Sequence, residues 1–322
     1  MTPQVRLHEH ELALRRPLPT AHGTITARQL VEVHIAVGPH IGIGEAAPLP
    51  GFGMESYAEA KAALASWSVD RQPPTGRAAT GAVMTAVEQL EAARDDLSLA
   101  ELLVGEAVEE LPVAVQALVG ASDPAEAANA AAAAATAGHL GVKLKVGTLD
   151  PEIDIARIIA IRAIAPDLIL RLDANGGWSF NAAREVLAAV ADLNIDLVEE
   201  PTQDPTQFAA LANTTGARIG LDEHAVSASA IRELVAAGGI DALVLKPAVL
   251  GGPRATYDIG RIGQSLGCRA IVTSFIDGTT SLRAATQIAR ALSPAEIHGL
   301  GTASLFAESL PDDVSPSGGY LR

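Results

Sequence analysis

One cysteine, Cys268, is the whole thiol complement of 322 residues. Without a second thiol there is no intrachain disulfide, no thiolate metal cluster and no cystine-stapled extracellular scaffold, so a reducing cytoplasm is the expected location. Positive charge is scarce too: 23 Lys and Arg stand against 38 Asp and Glu, a formal net charge of −15. That field repels nucleic acid and anionic membrane surfaces, so neither is expected as a partner. A small molecule is. If it is anionic, it needs local positive charge, either a bound metal or buried lysines, to hold it against the global field. Long apolar runs are missing as well. The N-terminal MTPQVRLHEHELALRRPLPT carries charges throughout and lacks the apolar core of a secretory signal. AEAANAAAAAATAGHLG (125–141) is too short and too weakly hydrophobic to cross a bilayer, and its alanines favour a helix.

What is present is a core. Hydrophobic residues make up 48% of the chain, enough for a large barrel with a smaller companion and too many for disorder. Residues 4–50 alternate as strands do, for example LVEVHIAV (30–37), whereas 55–96 read as two helices. From Leu111 onward, short apolar runs alternate with alanine-rich helical stretches, as in repeated βα units. The expected strands are PVAVQAL (112–118), VKLKV (142–146), LILRLD (168–173), DLVEE (196–200), RIGLDE (218–223), ALVLK (242–246), RAIVTS (269–274) and EIHGLG (296–301). Eight such units predict an α/β fold, a (β/α) TIM-like barrel; an open doubly wound sheet is disfavoured because no G-x-G-x-x-G turn follows the first strand. The expected division is an α+β capping unit over 1–105, a catalytic barrel over 106–302, and a tail over 303–322 that returns to the cap.

Active sites of parallel barrels lie at the C-terminal ends of the strands, and here those ends are charged. Strand two closes on Lys143 and Lys145, strand three on Arg171 and Asp173, strand four on Glu199 and Glu200, strand five on Asp222 and Glu223, strand six on Lys246. Five charged ends in succession would be unfavourable to bury unless the charges compensate one another or bind an ion. Side chains alternate along a strand, so Lys143 and Lys145 share a face, as do Arg171 and Asp173, while Glu199 and Glu200 oppose one another. Around an eight-stranded circle, strands two and six are opposite and three to five fill the arc between. That sets Asp173, Glu199 and Asp222 on one wall with a lysine at each side. Such hard oxygen donors suit Mg²⁺ or Mn²⁺. The chemistry this arrangement serves is proton removal next to a carboxylate: the metal stabilises the enediolate, and a lysine surrounded by other positive charge acts as the base.

In their order, KLKVG, RLDANGGW, LVEEP, LDE and LVLKP resemble the muconate-lactonizing branch of the enolase superfamily, over nearly the whole chain. The resemblance implies that Lys145 and Lys246 flank the substrate and that Asp173, Glu199 and Asp222 bind the metal. Within the branch, GEAAPLPGFGMES (44–56), RLDAN and GLGTASLF (299–306) are most similar to the o-succinylbenzoate synthase family. That likeness implies syn dehydration of a cyclohexadiene carboxylate for menaquinone biosynthesis. Lys145 would be the base, Lys246 a cation over the ring, and Arg171 would orient or polarise Lys145, with Lys143 either tuning it or pairing structurally with a carboxylate. Substrate contacts would come from Pro48, Gly51 and Phe52 in a covering turn and from Asn175, Ser274, Asp277 and Gly299. The segment Ser274–Gly278 and His224 depart from the family pattern. Epimerisation of a dipeptide or N-acylamino acid, or cycloisomerisation, is the alternative outcome, and a barrel that binds ligand without turnover is a third. Assembly into a homo-oligomer is compatible with all three.

Several of these residues have ordinary roles as well. Asp173 or Asp222 taken singly would serve as a helix cap; only their succession at strand ends argues for metal. Glu200 and Glu223 are expected to support the ligands or to be solvated, and His224, Cys268 and Trp178 to pack. Gly251 and Gly252 read as a turn.

Overall fold

The protein was described through a computed structural model, which covers residues 3–20 and 23–322. The chain begins with an antiparallel sheet in which β1 (Gln4–Thr20), β2 (Gly23–Val37) and β3 (His40–Ala46) lie in that order. Val31, Val33 and Ile35 turn one face of β2 toward α1 (Tyr57–Asp70) and α2 (Arg77–Arg94), as strand alternation requires. Ser56 and Glu59 form a capping box that starts α1, and Ser98 and Glu101 form another for the short α3 (Leu99–Val104). β3 takes α2 at very close range: a Cβ at Gly42 or Gly44 would lie 1.8 Å from the carbonyl oxygen of Ala86 or Ala82. Only glycine fits there.

The rest of the chain alternates strand and helix. After β4 (Val113–Ala114) come β5 (Ala117–Val119), α4 (Pro124–Thr136), β6 (Gly141–Lys145), α5 (Pro151–Ile164), β7 (Ile169–Asp173), α6 (Phe180–Ala189), β8 (Ile195–Glu199) and α7 (Phe208–Thr215). There follow β9 (Ile219–Leu221), α8 (Ala228–Ala237), β10 (Ala242–Leu245), α9 (Pro247–Leu250), α10 (Pro253–Ser265), β11 (Arg269–Val272), α11 (Thr279–Leu292) and β12 (Tyr320–Leu321). β5 to β11 form one curled parallel sheet of seven strands in sequence order. Residues facing the helices, among them Val142, Leu144, Leu170, Leu172, Leu243 and Leu245, make the main core with Ile158, Ile161, Leu211 and Ile288.

Two expected strands differ. EIHGLG forms no regular strand; single bridges join Val115 to His298 and Thr273 to Gly299, so this segment links the two edges of the sheet. The amide of His298 donates to Ala114 and that of Gly299 to Val272. A side chain at Gly299 would meet Thr273 Oγ1 at 2.2 Å, so the two segments can approach this closely only with glycine. The expected first strand is split, because Val113 and Ala114 pair antiparallel with the tail strand β12 and only 117–119 join the sheet. The tail also divides: Phe306 bridges Leu14 of β1 and packs with Leu12 and Leu30, while its last residues sit on β4. Among the described residues no helix is long and apolar enough to cross a membrane.

Candidate active site

β6, β7 and β8 end in register, with Lys145 beside Asp173 and Asp173 beside Glu199. Asp222 and Lys246 directly follow β9 and β10. Asp173, Glu199 and Asp222 are buried, and each offers an oxygen within 4.8 Å of the other two. The side chains interleave by charge. Lys143 Nζ lies 3.0 Å from Asp173 Oδ2 and 3.0 Å from Glu199 Oε2. Lys145 Nζ donates at 2.6 Å both to Asp173 Oδ2 and to Asn175 Oδ1. On the other side Lys246 Nζ is 2.5 Å from Asp222 Oδ1 and 5.3 Å above the Phe275 ring.

These contacts set the ionisation of the buried groups. Burial alone would lower Lys143, but Asp173, Glu199 and Asp222 outweigh it and hold its ammonium above the usual lysine range. Lys246 is also raised: burial opposes its charge, and Asp222 and Glu223 more than compensate. For Asp173, burial would raise the carboxyl, yet Lys143 and Lys145 carry it well below the usual range. Glu199 goes the other way, pushed up by burial and by Asp173 and Asp222 against the pull of Lys143. Its Oε1 has no hydrogen-bond partner. An orphaned buried carboxylate oxygen beside two more acids is what a hard divalent cation would satisfy, so the donor set fits such an ion.

A family model described as "Enolase C-terminal domain-like" matches residues 125–322, the part that carries every one of these charges. The chain belongs to the enolase superfamily. It is 33% identical over 290 residues to an o-succinylbenzoate synthase from an Enterobacter species, covering 86% of this chain and 84% of that protein. With the o-succinylbenzoate synthase of Vibrio cholerae the identity is 27% over 325 residues, 94% of this chain and 91% of the other. Among solved structures, a dipeptide epimerase from Enterococcus faecalis complexed with Mg and the dipeptide L-Leu-L-Tyr superposes with a TM-score of 0.86 at 25% identity, covering 95% of this chain and 92% of that one.

For this superfamily member the structure separates the expected site residues. Lys143, Lys145, Lys246 and the three carboxylates converge, and Asn175 joins them, its Nδ2 donating to Glu223 Oε1 at 2.9 Å. Phe52 reaches the site from the cap and meets Phe275 edge-on at 5.5 Å. Arg171 does not join. Two residues before Asp173, it points toward the other end of the strands, where it is buried and donates to Asp196, Gln116, Glu296 and the carbonyl of Ile297. Ser274 is hydrogen-bonded to Thr302 at 2.7 Å, and Asp277 Oδ2 accepts from the Phe275 amide at 2.7 Å. Gly299 serves the closure of the sheet, and Pro48 gives its carbonyl to Arg28; Gly51 precedes Phe52 in the short 3-10 turn Pro50–Phe52.

Glu200 takes the supporting role that was one of its two expected readings, whereas Arg157 and Asp154 were not singled out from the sequence. Glu200, with φ 40°, accepts the amides of Asp222 at 2.9 Å and His224 at 3.1 Å and the His224 ring at 2.8 Å, which fixes the turn carrying Asp222. Behind β6, Arg157 donates to the carbonyl of Lys145 at 2.7 Å and to Asp154 at 2.8 Å. Asp154 in turn accepts from the Gly147 amide and from Trp178 Nε1. The spacing of Asp154 and Arg157 along α5 was the available signal, an ion pair three residues apart that a surface reading assigns to solvent. Both are buried.

Proposed function

We propose that this protein is an Mg²⁺-dependent o-succinylbenzoate synthase, a lyase that dehydrates a cyclohexadiene carboxylate to an aromatic product. The carrying observation is the pairing of Lys145 with a buried Asp173, Glu199 and Asp222 triad, in a chain whose full-length sequence relatives bear that name. Mg²⁺, with Mn²⁺ as substitute, when bound by the triad would supply Lewis-acid stabilisation of negative charge on the substrate carboxylate. Lys145, the most exposed of the three lysines, takes the proton from the carbon next to that carboxylate. The resulting ammonium returns the proton to the hydroxyl leaving from the neighbouring carbon on the same face, so water departs and the ring becomes aromatic. Lys246 stays cationic and lies over the electron-rich ring. Phe52 and Phe275 supply apolar walls.

A second reading, epimerisation, is favoured by one feature: Lys145 and Lys246 belong to strands four positions apart and so reach the substrate from two sides, as reprotonation from the opposite face requires. Against it, the relatives that the chain resembles over most of its length are named o-succinylbenzoate synthases. An assay of purified protein with the synthase substrate beside a dipeptide panel, with and without Mg²⁺, tests the reading. Metal-dependent formation of the aromatic product is expected. Racemisation of a dipeptide with solvent deuterium incorporated at its α-carbon, and no aromatic product, would overturn it.

A further inference from the structure

Three of the chain's eight histidines lie away from the active site, on one face of the cap sheet. His8 and His10 are two residues apart on β1, and β2 presents Glu32 and His34 with the same spacing. His8 stands opposite Glu32 in the register, and strand alternation aims all four side chains to one side. Two imidazoles converge on a single oxygen: His34 Nε2 is 2.8 Å and His10 Nε2 3.5 Å from Glu32 Oε2. The His8 ring lies against that of His34, with centroids 4.4 Å apart. The other carboxylate oxygen, Glu32 Oε1, accepts from Thr280 Oγ1 at 2.6 Å, which orients the carboxylate from the first turn of α11.

We propose that His8, His10, Glu32 and His34 form a second metal site, one that takes a borderline transition-metal ion of the Zn²⁺ class and not Mg²⁺. The donors decide the class. Imidazole nitrogens with one carboxylate suit Zn²⁺, whereas the all-oxygen triad of the active site suits a hard ion. Alternating residues on paired strands bring two imidazole nitrogens within 3.5 Å of one Glu32 oxygen, although the donors are spread more widely than those of the acidic triad. A tetrahedral ion needs ligand atoms about 2.0–2.2 Å from its centre, so the imidazoles must draw closer together around it. His10, whose side chain is 50% exposed, has the freedom to do so. His34 and Glu32, at 28% and 18%, are held more firmly. The Thr280 hydroxyl plays the part that an outer hydrogen-bond partner plays for a ligating carboxylate. Since Thr280 belongs to the barrel unit and the histidines to the cap sheet, an ion here would fasten β1, β2 and α11 together.

Calorimetric titration of ZnCl₂ into the full-length protein, with the active site kept occupied by excess Mg²⁺, tests this. The wild type is expected to take up one equivalent of Zn²⁺, and His34→Ala and His10→Ala each to weaken binding by about 10-fold or more. Zn²⁺ should raise the melting temperature of the wild type and raise that of the His10→Ala variant by less at the same metal concentration. Because His10 is half exposed, that variant is expected to melt like the wild type in EDTA, and its Mg²⁺-dependent turnover should be unchanged. Equal Zn²⁺ uptake by wild type and both variants, or none by the wild type at millimolar metal, would overturn the proposal.

Discussion

Lys145 is held from two directions: its ammonium rests on Asp173 and Asn175, and its carbonyl is fixed from behind by Arg157. The role of base proposed for it calls for such a mount, since a base must meet its carbon within a fraction of an ångström. Arg171, by contrast, belongs to the floor of the sheet, where with Arg269 it neutralises Asp196 and Glu296. Arg171→Met should therefore destabilise the fold by about 3 kcal/mol, through carboxylates left short of a partner, while the turnover of the folded fraction stays within a few-fold of wild type. Chemical denaturation beside active-site-normalised kinetics checks both halves, and a thousand-fold fall in turnover without loss of stability would restore Arg171 to a catalytic role. Residue order and alternation made the triad and the three lysines legible, since each occupies a strand end. The same alternation groups Arg171 with Asp173 and says nothing of depth, which is why Arg171 read as part of the site. Glu200 was expected either to support the ligands or to be solvated, and it holds the turn that carries Asp222; Arg157 escaped because it acts on a backbone carbonyl, which no residue pattern reports.

Among the elements, the segment at 298–299 does most with least regular structure. His298 is fully buried; its Nδ1 accepts the Val272 amide at 3.0 Å, and its Nε2 faces the Ser293 carbonyl at 3.0 Å. Only the neutral imidazole protonated at Nε2 satisfies both bonds, and burial pushes the group down to about 4. The unfolded chain takes up this proton near pH 6.5 and the folded one only near pH 4. The stabilisation is thus complete above about pH 6.5 and declines as the pH falls toward 4, by about 3 kcal/mol in all. Urea unfolding between pH 7 and pH 4 should show a shallower acid-induced loss in His298→Asn than in the wild type; parallel curves would exclude His298 as the source. Seven strands were readable from their apolar runs. The eighth was not realised as a strand because its pairing is confined to single residues on each edge, and the tail's hold on Val113 and Ala114 rests on partners about 200 residues apart in sequence, beyond the reach of any local pattern.

At the scale of the whole molecule, cap and barrel meet through buried polar groups. Arg28 of β2 donates to the carbonyls of Pro48 at 2.9 Å and Ile276 at 3.0 Å, and Glu45 accepts the Gly278 amide at 2.7 Å. Burial, with Asp277 nearby, pushes the Glu45 carboxyl up to about 8. This interface brings Phe52 over Phe275, so the cap supplies one wall of the site. The cap's strands and helices were legible from alternation and composition; its docking was not, since Arg28 and Glu45 look like ordinary strand charges until the partners are in place. The surrounding field is strongly negative, at −15 overall. An anionic substrate is therefore repelled until it reaches the lysines, and kcat/KM should rise as ionic strength increases from about 10 mM to about 150 mM, where the Debye length shrinks from about 30 Å to about 8 Å. Stopped-flow or steady-state rates across that range check the sign; a decline would indicate that local attraction governs capture.

All of this converges on one lysine beside one cation site. The most direct test compares Lys145→Ala with the wild type for Mg²⁺ affinity by calorimetry and for aromatic product formed from the synthase substrate in a single turnover. Removing an ammonium that lies 2.6 Å from Asp173 should leave metal binding intact or tighter, while product formation falls by at least about a thousand-fold. Product formed at the wild-type rate by the alanine variant would contradict the account.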